Sequence, residues 1–457
     1  MNQSLIQISL LSAVLLHALT TGAQPVIKIA AGCSGYHTLF LKSDGSLWGM
    51  GLNNYGQLGD GTLNDTNLPE QIMPSNVIAI ATCSYDSVLL KNDGSLWDMG
   101  YNSYGDLGDG TGDSTNQPEQ IVASNVTAVA IGTGPYTGLD FGALGYGGEH
   151  TYCLFLEIDG SLWGFGTNTF GELGTGNSIS TNRPEMILAT NVIAIAAGGW
   201  NSLFIKKDGS AWGMGRTISF PSYMPVKILA SNVTAIAAGW FHNLFLMSNG
   251  SMWAMGYNTY GQLGDGTYNT TNQPEMIVAS NVVAIAAGGD HSLFLKSDGS
   301  LWAMGFNRFG QLGDGTSGPT VQTNLPEEIV ASGIIAIAAG ADHSLFLKSD
   351  GSLWGMGHNY YGQLGDGTSG IGNFTNWPEQ IVGPYNQISG QLLTNGDMQL
   401  SFVGIAVANY ALDWATSLSP ANWLPVATNL ATSYGALVFT NTPDPTTNNF
   451  WRIRLMP

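Results

Sequence analysis

Two residue types with reactive side chains recur in this chain at regular spacing. A histidine stands before an apolar run at His37, His150, His242, His291 and His343. An aspartate stands in a Gly-Asp-Gly-Thr phrase at Asp60, Asp109, Asp265, Asp314 and Asp366. Histidines gathered at one point could hold a metal or move protons. Copies that recur about once per unit spread through a fold instead, and the simpler role is a hydrogen bond that fixes a strand entry. The aspartates could ligate Ca2+, but that ion needs several oxygen ligands close together, and no copy offers them. A turn aspartate bonded to its own loop backbone accounts for the pattern. The chain has no Gly-x-Ser-x-Gly elbow, no His-Glu-x-x-His and no Walker loop. Carboxylates are plentiful enough to leave glycan chemistry by a carboxylate pair open, although no pair stands out. The expectation is a protein that is not an enzyme and takes no metal and no cofactor.

The elements that carry these residues repeat. The phrase Asp-Gly-Ser-Leu-Trp-Gly-Met-Gly at 44–51 returns in variant form around Trp97, Trp163, Trp212, Trp253, Trp302 and Trp354. Counting from Trp48, these tryptophans lie 49, 66, 49, 41, 49 and 52 residues apart. Seven units of about fifty residues indicate a propeller or solenoid array. Each unit reads as short strands. In the seventh, Ile334 to Ala339 is apolar and ends in small residues, and SLFLK at 344–348 is a second strand. Asp350-Gly351 is a hairpin turn, SLWGM at 352–356 a third strand, and Pro378 to Ile381 a short outer strand where a proline is tolerated. The strands are apolar on both faces, as blades covered by neighbours on either side require. Ala-Ala-Gly at 30–32, 196–198, 286–288 and 338–340 places small residues where innermost strands crowd an axis. The tryptophans are expected to pack between blades.

These units resemble the regulator of chromosome condensation repeat, a family of seven-bladed β-propellers. The matching phrases are Gly-Gln-Leu-Gly-Asp-Gly-Thr at 56–62, 261–267, 310–316 and 362–368, with near copies at 105–111 and 171–177. The likeness covers residues 26–383. The fourth unit departs from it, reading RTISFPSYMP after Gly215, and the second has Asp86 where the histidine is expected. The resemblance implies a seven-bladed propeller of an exported bacterial type that binds protein partners through loops at the blade ends. Some secreted bacterial members of the fold inhibit enzymes such as β-lactamases in that way. The family name points to nucleotide exchange on a small GTPase at chromatin. That role belongs to a nuclear branch, and it is not expected of an acidic chain that reads as exported and has no basic tail.

Composition narrows the partners. Of 457 residues 62 are glycine, roughly twice ordinary usage, and 10% are charged. Lys and Arg number 13 against 32 Asp and Glu, a net charge of −19. So acidic a chain is a poor ligand for nucleic acid or for an anionic membrane surface. Residues 5–19 form an uncharged apolar run followed by Thr21-Gly22-Ala23, which reads as a signal peptide over residues 1–23. No other stretch is long enough to span a bilayer. The expected location is secreted, periplasmic or at the cell surface. Cys33, Cys83 and Cys153 are too few for a disulfide framework. Cys33 and Cys83 occupy similar places in adjacent repeats, so a bridge is conceivable, but separate buried thiols are the favoured reading.

Departures from the repeat mark the candidate binding residues. The third unit inserts Gly132 to Glu149, carrying Tyr136, Phe141 and Tyr146 among glycines. A neutral surface insertion is an equal reading. The fourth-unit loop holds Arg216 and Phe220, and Trp200, Trp240 and Phe241 follow inner strands where other units have small or polar residues. Aromatics on adaptable loops suit a partner surface centred on the third to fifth blades at one mouth of the ring. On this reading Trp240→Ala and Tyr136→Ala weaken partner capture and leave stability nearly unchanged. Beyond Pro384 the repeat stops. A hairpin at 391–405 turning at Asn395-Gly396, and strands at Tyr410 to Ala415, Ala436 to Thr440 and Phe450 to Leu455, suggest a small all-β, sandwich-like module at 384–457. It is read either as surface attachment or carbohydrate contact, or as a cap or spacer. The whole is read as a secreted or cell-surface scaffold for an unidentified protein partner. The alternatives are an inhibitor of a secreted enzyme, or a glycan-binding or glycan-active propeller.

Overall fold

A computed structural model describes residues 24–134, 150–216, 221–383, 388–393, 397–403, 409–415, 424–430, 436–442 and 450–455. The expected signal peptide and the turn at Asn395-Gly396 lie outside these residues. Residues 26–382 form seven antiparallel sheets of four strands, each sheet made of four consecutive strands. Blade one consists of Val26–Ala30, His37–Lys42, Leu47–Gly51 and Thr66–Met73. Blades two to seven follow over 77–122, 126–188, 192–229, 233–278, 282–330 and 334–382. The first strand of every blade packs on the first strand of the next, and that of blade seven packs on that of blade one. The chain is a closed seven-bladed propeller. Its ring closes by side-to-side packing, and no strand is exchanged between the first and last blades.

The local sequence explains both ends of each blade. At the hairpin of blade one Gly45 has a φ of +77°, which glycine adopts without strain. Asp44 accepts the Ser46 N–H at 2.9 Å, Ser46 Oγ accepts the indole N–H of Trp48 at 3.0 Å, and Lys42 lies 3.7 Å over the indole. All seven repeat tryptophans, Trp48, Trp97, Trp163, Trp212, Trp253, Trp302 and Trp354, donate to the serine two residues earlier. Each packs into the seam with a neighbouring blade. Trp48 joins Ala338, Leu345 and Leu347 of blade seven, as expected of inter-blade packing. Where the inner strands of neighbouring blades meet, Gly32 and Gly198 leave no room for a side chain. A Cβ added at Gly32 would lie 1.8 Å from the Thr82 carbonyl oxygen, and one at Gly198 2.4 Å from that of Gly239.

Two expectations need correction. The outer strands are longer than a four-residue edge; in blade seven the strand runs Phe374–Val382. Blade three does not place His150 in the histidine position. Tyr152 pairs with Gly166 there, as His37 pairs with Gly51, and His150 lies two residues earlier. As favoured from the sequence, Cys33, Cys83 and Cys153 are free, buried thiols, and they share one cluster. The C-terminal strands form two three-stranded sheets. One of their strands, Leu424–Leu430, is absent from the sequence reading, because Pro425, Thr428 and Asn429 break its apolar pattern.

Candidate binding surface

In an antiparallel four-stranded blade, the connection from first to second strand and the connection from third to fourth emerge at the same end. One end of the toroid therefore carries all of these loops, and the other carries the Asp-Gly turns.

A residue opposite the third-strand glycine ties each blade to the next. His37, His242, His291 and His343 contact Ser87, Ser292, Ser344 and Thr38 through Nε2, at 2.7, 2.9, 2.9 and 3.2 Å. In blade two Asp86 accepts from the Thr151 hydroxyl, in blade three Tyr152 donates to the Asn201 carbonyl at 2.7 Å, and in blade four Asn201 donates to Asn243 Oδ1 at 2.7 Å. Burial pushes His37, His291 and His343 down to about 3, so the rings stay neutral. The histidines are inter-blade ties spread around the ring, and they do not converge on a site.

The third-to-fourth loop is built on a buried asparagine. Asn53 Oδ1 accepts the Leu58 N–H at 3.0 Å, and its Nδ2 donates to Asp60 at 3.0 Å. Asp60 accepts the Thr62 N–H at 2.8 Å. The same bonds surround Asn102, Asn258, Asn307 and Asn359. The aspartates are thus held by their own loop. Each loop also clasps the next blade, since Gly61 donates to the Asn116 carbonyl at 2.9 Å and Asn116 Nδ2 returns a bond to the Gly61 carbonyl at 2.8 Å.

The fixed loop displays an aromatic ring just before its first glycine. These rings meet ring side chains at the adjoining seams. Tyr55 lies 4.7 Å from Tyr85 and 4.9 Å from Tyr101, and Phe170 lies 5.5 Å from Trp200. Tyr260 lies 4.4 Å from Phe306, Phe309 4.4 Å from His358, and Tyr361 5.6 Å from Tyr36. Trp200 continues to Phe241 at 4.7 Å, and the Arg216 guanidinium covers Trp200 at 4.6 Å and Phe170 at 5.0 Å. Half-buried aromatics therefore occupy the loop end around the ring.

Of the residues singled out in the sequence, Trp200, Arg216 and Phe241 come together in this belt. Tyr136, Phe141, Tyr146 and Phe220 lie outside the described residues. Trp240 lies elsewhere. Its indole donates to Ser34 of blade one and packs against the cluster of Cys33, Cys83 and Cys153, so the half-buried ring reaches across the axis at the loop end. Its neighbour Gly199 in blade four shows why the site is single: a Cβ there would stand 2.7 Å from Trp240 Cα. The sequence reading also took the positions equivalent to Trp200 and Phe241 as small or polar in other units. Tyr36 and Tyr85 hold that position in blades one and two, directly before His37 and Asp86. The belt was recoverable from the aromatic that precedes glycine in all six loops of the Asn-x-aromatic-Gly type.

Blade two buries three carboxyl groups at its seam with blade three. Asp98 takes a third-strand position held by glycine or alanine elsewhere, and Asp106 takes one held mostly by glutamine. Thr151 joins two of them, its hydroxyl donating to Asp86 and its N–H to Asp106 at 3.3 Å. Burial pushes Asp86 up to about 8. Asp98 and Asp106 are raised by burial and then by the neighbouring Asp86. All three side chains are fully shielded from solvent.

A sequence profile described as the RCC1-like domain matches residues 138–399, and two profiles of the regulator of chromosome condensation (RCC1) repeat match 26–57 and 44–90. Prp20p from Saccharomyces cerevisiae, whose structure was described with its binding properties to Gsp1p and histones, superposes with a TM-score of 0.61 at 18% identity. That match covers 76% of this chain and 88% of Prp20p. Human WBSCR16 gives 0.61 at 19% identity over 74% of this chain and 94% of its own. Yeast RCC1 (Prp20) in its structure with Kap60 gives 0.60 at 20% identity over 79% and 84%. With seven closed blades, a clasping Gly-x-Leu-Gly loop in six of them and a profile match over more than half its length, the chain belongs to the RCC1-like domain family of seven-bladed propellers.

Proposed function

We propose that this protein is a non-catalytic scaffold that binds a protein partner through the loop end of its propeller, outside the cytoplasm. The observation that carries the reading is the aromatic belt. Rings such as Tyr55, Tyr85, Trp200 and Phe241 are only half buried, although Tyr55 stands on a loop fixed by buried hydrogen bonds and the other three directly precede a buried second strand. Rigid aromatics that keep one face in solvent suit partner binding, because little side-chain entropy is lost on contact. Yeast Prp20 was studied with Gsp1p, histones and Kap60, which supports protein binding as a use of this fold without fixing the partner. Export rests on the apolar run at 5–19 and the small residues at 21–23. Among the described residues no helix is long and apolar enough to cross a membrane.

The test is affinity capture from the native host's medium and envelope with the full chain. Three baits are compared: wild type, Tyr85→Ala with Trp200→Ala, and a turn-end control, Asp298→Asn with Asp350→Asn. The expected result is a protein held by wild type and control and lost from the belt variant. Equal capture by all three baits would place binding elsewhere. Turnover of a substrate by the purified chain would reject the non-catalytic reading. Sequencing the mature N-terminus checks export.

A further inference from the structure

Charge is sorted along the propeller axis. At the turn end Lys42, Lys91, Lys296 and Lys348 each lie 3.5–3.8 Å over a repeat indole, where aspartates of the same turns face them. No lysine reaches the loop end. There the loop aspartates Asp60, Asp109, Asp265 and Asp314 are half-buried, and Asp65, Asp113 and Asp366 are exposed. The basic residues described on that side are Arg183, Arg216 and Arg308, and Arg216 is engaged with Trp200 and Phe170. A cleft of about 530 Å3 opens at the same rim between blades one and two. Tyr55 and Leu63 form an apolar side, Asp109, Asp113 and Glu119 supply carboxylates, and among the described residues that line it none is basic.

We infer that the surface docked on the loop end is cationic, and that the cleft between blades one and two receives one of its Lys or Arg side chains. This rests on the reading of that end as the partner-binding face. The argument is charge complementarity. An acidic partner approaching this rim meets like charges in a chain of net charge −19, whereas a basic one is steered towards it. The cleft suits a long cationic side chain, whose methylene stem can lie along Leu63 while its head stands between carboxylates and beside the Tyr55 ring. A neutral sugar would leave these carboxylates without a countercharge.

The probes are the acetylated, amidated hexapeptides (Leu-Arg)3, (Leu-Gln)3 and (Leu-Glu)3, titrated calorimetrically into the full chain at low and moderate salt. Hydrogen exchange maps the contact. The arginine peptide is expected to bind in a salt-sensitive manner, to protect residues 54–63 and 109–119, and to lose about tenfold in affinity with Asp113→Asn combined with Glu119→Gln. The turn-end pair Asp298→Asn and Asp350→Asn should leave it unchanged. Equal binding of the glutamine peptide at the belt would overturn the cationic class and leave the partner-binding face standing. Protection at the turn end, an equal loss in the turn-end variant, or no binding of the arginine peptide would overturn the inference outright.

Discussion

Replacing Asp86 by asparagine should change the protein's stability in opposite directions at low and high pH. The Asp86 carboxyl is buried at the seam between blades two and three, where it accepts the Thr151 hydroxyl. Its proton is held up to about 8, against 3.8 for an ordinary aspartate. Burial penalises the charged form, so the folded state keeps the proton while the unfolded chain releases it above 3.8. Below that value both states are protonated and the group costs nothing. Stability then falls by about 1.4 kcal/mol for each pH unit up to about 8. At pH 7 the accumulated penalty is at most about 4 kcal/mol, from the 3.2 units between 3.8 and 7. Asparagine keeps an oxygen for Thr151 but buries an amide N–H2 with no prepared partner, at a cost of about 1–3 kcal/mol. Asp86→Asn should therefore be less stable than wild type at pH 4 and more stable at pH 7.5, by about 2 kcal/mol in each case. The buried histidines, pushed down to about 3 or 4, destabilise the fold as pH drops below 6.5. They are shared by both proteins and cancel in the difference. The assay is urea unfolding of the two proteins at half-unit steps from pH 4 to 8. A difference in unfolding free energy that stays flat across this range would refute the argument that the seam holds a proton.

Two further perturbations test the architecture. Trp240→Ala should lower stability by about 3 kcal/mol in denaturant unfolding, because the indole packs on the cluster of Cys33, Cys83 and Cys153 and bonds Ser34 across the axis. An unchanged midpoint would return Trp240 to the rim. Asn53→Ala removes the acceptor of the buried Leu58 N–H and the donor to Asp60, at a cost of about 1–3 kcal/mol. Hydrogen exchange should quicken in residues 54–62 and at the clasped edge around Asn116, and unaltered exchange there would show that the asparagine does not hold the loop.

Strands whose boundaries are set by local chemistry were the most legible part of the chain. Asp350-Gly351 fixes its hairpin because a short acidic side chain and a residue with positive φ are needed at adjacent positions. The outer strands read too short, since their prolines and polar residues hide an edge that pairs only through its backbone. His150 was misplaced because an insertion precedes it. Counting along the chain cannot tell whether His150 or Tyr152 faces Gly166, and only the pairing register decides. The belt was half legible. Trp200 and Phe241 stood out as departures, while Tyr55 and Tyr361 were overlooked inside a motif that looked purely structural.

The sequence by itself determined the number of blades, the turn chemistry and the small residues of the inner strands. All three are consequences of spacing and of what one residue can do to its own backbone. Only the tertiary structure decided where residues from different blades meet. It turned Trp240 across the axis to Ser34 and set Trp200 between Phe170 and Phe241 in the belt, although both follow inner strands only forty residues apart. It joined Asp86 and Asp106 through Thr151, and it gathered the tyrosines of separate repeats into one belt. The physical reason is closure. A ring of seven units brings blade seven against blade one and turns local register into through-space contact, which no reading of a single repeat contains.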